Sequence, residues 1–380
     1  MRKKVLFVSY ALPPFGGGGE QVARNVLSYL SENDLLELEV LTAADIHSGL
    51  SPDSVENVKF HTVPTWRKSR ADTGIIGMLM FVMLGACKLR KLLKKNNYDL
   101  VHYWASVPSG LLSFLHHGDV PYVISLFGGD VPKFNSGQYQ LLHFLLAPFN
   151  KSIVRNAAAV VAMSRAAKTA TEKELGPANI KVIWNAADDL PADARAVIDR
   201  DKQTLRLISV GRLVGWKRFN LVISAVGGCD DVELVIVGDG PERKSLENLV
   251  EKTCSGRVQF LGMLNKAQVS DELLKSDVFV LPSIGESFGN VFVEAMACGL
   301  PVIGARAGGV AEIIENEKNG FLIEPDNLGE LIDRINFFKN ADERKRMSEE
   351  SIGLFKEKFT WPRVFEKYQA VYKEMHIGWR

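Results

Sequence analysis

The stretch VFVLPSIGESFGNVFVEAMA, residues 278–297, reads as a buried strand over 278–281, a loop, and a helix whose start the spacing puts near Phe288. A short branched apolar run stopped by Pro282 suits a strand covered on both faces, and strand, loop and helix in that order is the unit of a parallel α/β sheet. The same alternation runs through the chain. Strand candidates in the first half are 5–9, 38–42, 58–63, 100–102, 122–126, 159–163 and 181–184. In the second half they are 206–210, 233–237, 258–261, 278–281 and 301–304.

The chain has 380 residues, beyond the size at which one hydrophobic core keeps growing, so two domains are expected. The segment 186–203 is polar and without period, and the apolar run LRLISV follows it, which makes it the boundary. The expected division is 1–190, 204–360, and a final helix over 361–380 that crosses back to the first domain. Lys+Arg 46 against Asp+Glu 45 gives a net charge of +1, which removes the broad electrostatic reason to expect nucleic-acid binding. The cysteines, Cys87, Cys229, Cys254 and Cys298, form no CxxC pair, which argues against a zinc site or a disulfide framework. The first apolar run is too short for a signal peptide, and the uncharged stretch 74–87 falls short of a bilayer span, so a cytoplasmic protein is expected. Asp199-Arg200-Asp201 superficially matches a metal-binding triplet, but no apolar strand presents it and charged linkers often produce one.

Three loops carry chemistry. PPFGGGGE, residues 13–20, follows the first strand and opens a helix with Val22, Val26, Leu27 and Leu30 on one face. Glycines Gly16, Gly17 and Gly18 at a helix N-terminus let backbone N–H groups approach an anion; the alternative is a tight turn. GRLVGWKR, residues 211–218, places Arg212 and Lys217 just past a strand's carboxyl end, where a pyrophosphate would suit them; the alternative is a solvated basic turn. In the opening stretch Glu286 and Glu294 are separated by seven residues and can accept hydrogen bonds from sugar or ribose hydroxyls. The free N–H groups at Phe288, Gly289 and Asn290 are expected to face the same cavity as the two cations.

Together these segments resemble glycosyltransferase family 4. The marks, in order, are Gly211–Lys217, the VGDGPER run 237–243, Glu286 with Glu294, and the turn of Gly308, Gly309 and Glu312. The glycine loop, the segment Trp184-Asn185-Ala186-Ala187-Asp188 and the final 359–362 run also look like this family. The resemblance implies an α/β GT-B fold, two Rossmann-like domains facing across a cleft, and a retaining transferase drawing on a nucleotide-sugar; a UDP-sugar is the leading expectation and a GDP-sugar the second, as no residue of the sequence identifies the base. It implies that Arg212 and Lys217 hold the donor diphosphate, that Glu286 positions the donor sugar, and that Glu294 binds the ribose. Gly238, Ser287, Phe288, Gly289 and Asn290 then belong to the donor site, which Gly16 to Gly18 complete. No metal or other cofactor is implied. Relatives often carry His-Gly where this chain has Phe127-Gly128, so the usual histidine role passes to Asp130 or His102 as candidates on the acceptor side. Either residue reads equally as part of a loop or core.

The acceptor is expected to be a glycan or lipid-linked glycan in surface polysaccharide or glycoconjugate assembly. Trp66-Arg67-Lys68-Ser69-Arg70 precedes the apolar 75–84 run, and Lys88, Arg90, Lys91, Lys94 and Lys95 follow it. A second apolar run, Tyr139 to Phe149, ends near Lys151 and Arg155. Such segments suit helices in an anionic membrane interface, here the inner face of the cytoplasmic membrane, or crossover helices with solvated basic ends. A sugar-nucleotide epimerase and a non-catalytic sugar-nucleotide-binding scaffold are the competing readings.

Overall fold

The computed structural model describes residues 2–69, 74–115, 120–132, 134, 140–190 and 204–376, with backbone alone for 140–144. Arg70, Tyr139, Asp199, Arg200 and Asp201, and with them most of the expected linker, lie outside the described residues. The chain divides into two compact units, Met1–Ile183 with Phe365–Arg380, and Trp184–Val364.

The first unit holds β1 (Lys3–Ser9), α1 (Gly18–Ser31), β2 (Leu36–Asp45), β3 (Val58–Thr65), α2 (Gly74–Lys95), β4 (Leu100–Trp104), β5 (Tyr122–Leu126), α3 (Gln140–Asn156), β6 (Ala159–Ala162), α4 (Arg165–Leu175) and β7 (Ile180–Val182). Its strands are parallel in the order β3-β2-β1-β4-β5-β6-β7, with Val5 opposite both Leu38 and Leu100. Leu6, Val8, Val101, Tyr103 and Ile124 of the sheet share a core with Phe81, Leu89 and Leu92 of α2. The run expected at 181–184 pairs only as far as Val182, after which the chain passes to the second unit.

The second unit holds β8 (Leu205–Val210), α5 (Phe219–Gly227), β9 (Val232–Val237), α6 (Arg243–Thr253), β10 (Val258–Gly262), α7 (Lys266–Leu274), β11 (Val278–Leu281), α8 (Asn290–Ala297), β12 (Val302–Ala305), β13 (Gly320–Ile323), α9 (Leu328–Phe337) and α10 (Ala341–Lys358). The final helix, α11 (Trp361–Glu374), begins here and continues in the first unit. The six strands run in the order β10-β9-β8-β11-β12-β13. Strand β13 has no counterpart among the sequence-based strands, being four buried residues after a polar turn.

Both sheets reverse their order at one place, between β1 and β4 and between β8 and β11. Loops leaving the carboxyl ends of those strands flank the crevice in which doubly wound α/β sheets bind ligands. In the first unit the glycine loop follows β1; in the second, Arg212 and Lys217 follow β8 and Glu286 follows β11. Within each unit, topology therefore brings the residues selected by spacing to the switch point.

Candidate functional site

In the second unit, Lys217 ends a 3₁₀ turn, Gly215–Lys217, and its ammonium donates to Glu286 Oε1. Both side chains are largely buried, and Ser283 Oγ lies 3.5 Å from the same carboxylate oxygen. The backbone joins the two loops as well, with Ile284 N–H donating to Trp216 O at 3.0 Å. Arg212 is exposed and makes no ion pair with a described residue. One ammonium and one carboxylate thus meet at the switch point, with the exposed guanidinium of Arg212 on the same loop as Lys217, a set that matches a diphosphate joined to a hydroxyl-bearing group.

Glycines shape this corner. A Cβ on Gly238 (φ +129°) would lie 2.0 Å from Gly211 O, so Gly238 lets the loops after β8 and β9 close together. A Cβ on Gly308 (φ +56°) would lie 2.3 Å from Glu286 O, and Gly309 N–H donates to that carbonyl at 2.9 Å. The Gly308–Gly309 turn therefore fixes the backbone that carries Glu286.

Helix α8 begins at Asn290, two residues later than the sequence suggested. Gly289 takes the left-handed conformation, φ +105°, and Phe288 turns its ring into the core beside Phe359, 5.9 Å between centroids. The helix's first free N–H groups are consequently those of Asn290 and Val291 rather than Phe288. Asn290 Oδ1 accepts from Asn185 Nδ2 at 2.8 Å, and Glu312 Oε2 accepts from Trp184 Nε1 at 3.0 Å. Residues 184–188 thus strap the site's own elements together.

Glu294 sits further along α8 and lines a pocket of about 380 Å³ with Asp188, Lys266, Ala267, Ser270 and Ala297. Burial pushes its carboxyl pKa up, with Lys266 opposing and Asp188 reinforcing that shift. Spacing had no means to single out Lys266, a lone cation opening a helix.

In the first unit, Gly17 N–H donates to Glu20 Oε2 at 2.7 Å, so a carboxylate of the chain already caps α1. Gly16 there has φ +86°. Phe127, in the expected histidine place, packs against Gly19 and lies 5.0 Å from the Trp104 ring. Asp130 is buried in a short turn, where Oδ1 accepts from Ser106 N–H (3.0 Å) and Ser106 Oγ (3.2 Å), and Oδ2 from Phe127 N–H (2.8 Å). Burial raises its pKa to about 6 against the lowering effect of those donors. The carboxylate ties the loops after β4 and β5 to each other.

His102 is wholly buried on β4, with Nδ1 2.8 Å from the Tyr372 hydroxyl and Nε2 2.8 Å from Ser125 Oγ. Burial pushes its pKa down to about 3, leaving a neutral imidazole. Both nitrogens are engaged inside the core, so the structure corrects the expectation that it faces an acceptor; it anchors α11 instead.

The membrane-facing expectation divides. Helix α2 buries Phe81, Leu89 and Leu92 but exposes Ile75, Ile76, Leu79, Met83 and Leu84. Arg67 is buried, 4.6 Å over the Phe15 ring, and is no surface cation. On α3, Leu145 and Phe149 are exposed. Among the described residues no helix is long and apolar enough to cross a membrane, and no group of three or more His, Cys, Asp or Glu could hold a metal ion.

Residues 16–189 match the family described as Glycosyltransferase Family 4, and residues 192–353 match Glycosyl transferases group 1. An uncharacterized glycosyltransferase of Methanocaldococcus jannaschii is 27% identical over 377 residues, covering 98% of each chain. Sucrose-phosphate synthase from Thermosynechococcus elongatus superposes with a TM-score of 0.80 at 20% identity, over 99% of each chain. Anabaena HepE, solved in complex with UDP-glucose, superposes with a TM-score of 0.73 at 21% identity, over 98% of this chain and 99% of that one. These likenesses carry the two Rossmann-like sheets to the GT-B architecture.

Proposed function

From the premise that the chain belongs to glycosyltransferase family 4, we propose that it is a retaining transferase moving a sugar from a UDP-sugar to a hydroxyl of a glycan or lipid-linked glycan. The observation that carries this reading is the Lys217–Glu286 contact at the switch point of the second sheet, beside an exposed Arg212. Arg212 and Lys217 neutralise the charge that grows on the departing diphosphate as the bond from the anomeric carbon to its phosphate oxygen breaks. The acceptor oxygen bonds to the same face of that carbon, and its proton passes to the phosphate oxygen released there. Glu286 accepts hydrogen bonds from the donor sugar, and Glu294 from the ribose. Two protein cations serve the diphosphate, so the reading needs no metal. UDP is favoured over GDP because HepE, a relative in fold, was solved with UDP-glucose.

Within this reading a lipid-linked acceptor is favoured, because α2 leaves an apolar stripe exposed, followed by Lys88, Arg90, Lys91, Lys94 and Lys95. That stripe suits peripheral contact with an anionic membrane face.

Calorimetry with UDP, GDP, ADP and dTDP, repeated on Arg212→Ala, tests the donor side. We expect one nucleotide to bind selectively and the variant to weaken it; binding of none overturns the reading. Proton NMR of the product from an α-linked UDP-sugar tests retention, for which a β-linked product is the contrary result.

A further inference from the structure

We propose that Asp188 and Lys266 read the base of the nucleotide donor and set its selectivity, an inference that rests on the donor reading above. Helix α8 supplies the order of parts. It starts at Asn290, beside the loop that presents Glu286, carries Glu294 in its second turn, and ends at Ala297 in the pocket wall. At about 1.5 Å per residue the helix spans roughly 10 Å, comparable to the reach of a nucleoside from its diphosphate. With diphosphate at one end and ribose at Glu294, the base falls where Asp188 and Lys266 line the same pocket of about 380 Å³.

The pair there has the chemistry a base edge requires. Lys266 Nζ lies 2.6 Å from Asp188 Oδ2, and both side chains remain about half exposed, at 54% and 56%. A base edge offers an N–H beside an acceptor atom, and a carboxylate beside an ammonium is its complement. Asp188 is also held in place, since Trp361 Nε1 donates to its other oxygen at 2.9 Å. Burial raises the Asp188 pKa, but Lys266 and Trp361 outweigh it and keep the group ionised, an acceptor only. Lys266 has Asp188 as its one hydrogen-bond partner among the described residues, so its ammonium is free to turn toward a ligand.

The experiment measures the affinities of UDP, GDP, ADP, CDP and inorganic pyrophosphate for the full chain and for Lys266→Ala, Lys266→Glu and Asp188→Asn. Wild type is expected to prefer one base. The variants are expected to lose about tenfold for that nucleotide, to bring the four nucleotides close to equal affinity, and to leave pyrophosphate unchanged. A merely structural role for the pair would weaken all five probes together and overturn the proposal. Unchanged selectivity in Lys266→Glu overturns it too, while leaving the donor reading in place. If no nucleotide or pyrophosphate binds wild type, the donor reading itself has failed.

Discussion

Lys217 and Glu286, 69 residues apart in sequence, meet through their side chains and tie the loop after β8 to the loop after β11. If the proposed donor binds here, a diphosphate that attracts Lys217 would release Glu286 toward the sugar on the same donor.

Glu286→Gln tests this directly. The amide keeps the shape and still accepts from Lys217 but leaves the largely buried ammonium without a counter-charge, so the folded state is expected to lose about 1.5–3 kcal/mol. Turnover should fall on the order of a hundredfold, the usual effect of taking one pre-organised polar group away from a reacting centre. Steady-state rates and urea unfolding on the same preparation separate the two effects. Wild-type turnover in Glu286→Gln removes Glu286 from the site.

Gly308→Ala reaches Glu286 from behind. The new Cβ would sit 2.3 Å from Glu286 O in a left-handed conformation that non-glycine residues adopt at a cost of about 1–2 kcal/mol. The loop must shift, and we expect activity to drop at least tenfold while Tm falls by several degrees. Gly353→Ala, on α10, is the control, because a Cβ there meets nothing within 4 Å. Equal losses in both would show that the position of the Glu286 backbone is immaterial.

The switch-point loops were legible in the sequence because strand, glycine and charged residue follow one another there within a few positions. Three features were not. The α8 start was misplaced because Phe288 fits a helix by pattern, whereas its burial and the positive φ of Gly289 place it in the loop. His102 and Asp130 carry functional residue types whose role depends on burial, and both turn out to be enclosed and hydrogen-bonded. Lys266 and Asp188 meet across 78 residues, a proximity that only the packing of α7 beside the strap creates.

Tyr372→Phe is expected to lower stability by about 1–3 kcal/mol, because it leaves the buried Nδ1 of His102 without a partner. Urea unfolding followed by tryptophan fluorescence gives the number. His102→Phe with Tyr372→Phe removes both polar groups, and less than the sum of the single losses is expected. Additive losses would show that the two groups do not depend on each other.

Glu39 gives a pH-dependent prediction. Burial alone would raise its pKa, but Tyr98, Lys4, His61 and Lys59 surround the carboxylate and together lower it from 4.5 to about 2. The unfolded chain therefore takes up a proton before the folded one, and this stability is complete above pH 4.5 and is lost as pH falls toward 2. Glu39→Gln cannot ionise, so it should be less stable than wild type at pH 7, by about 3 kcal/mol. The gap should narrow by about 1.4 kcal/mol per pH unit below 4.5. Chemical unfolding of both proteins at pH 7, 4 and 3 checks it; a constant gap would place the carboxylate outside the linkage.

The exposed stripe of α2 lets the proposed membrane contact be tested apart from folding. Leu79 is 58% and Met83 70% exposed, so Leu79→Glu with Met83→Glu removes little packing, and unfolding should change by less than about 1 kcal/mol. On an anionic bilayer the same two carboxylates would enter the interface beside acidic lipid headgroups, where both desolvation and repulsion oppose binding. Flotation with vesicles containing phosphatidylserine is expected to recover wild type at low salt and to leave the variant behind. Recovery should fall as salt rises, because the cations from Lys88 to Lys95 act through a field that a Debye length of about 8 Å screens at physiological ionic strength. If wild type also stays behind at low salt, the stripe does not meet lipid and the lipid-linked class of acceptor loses its structural support.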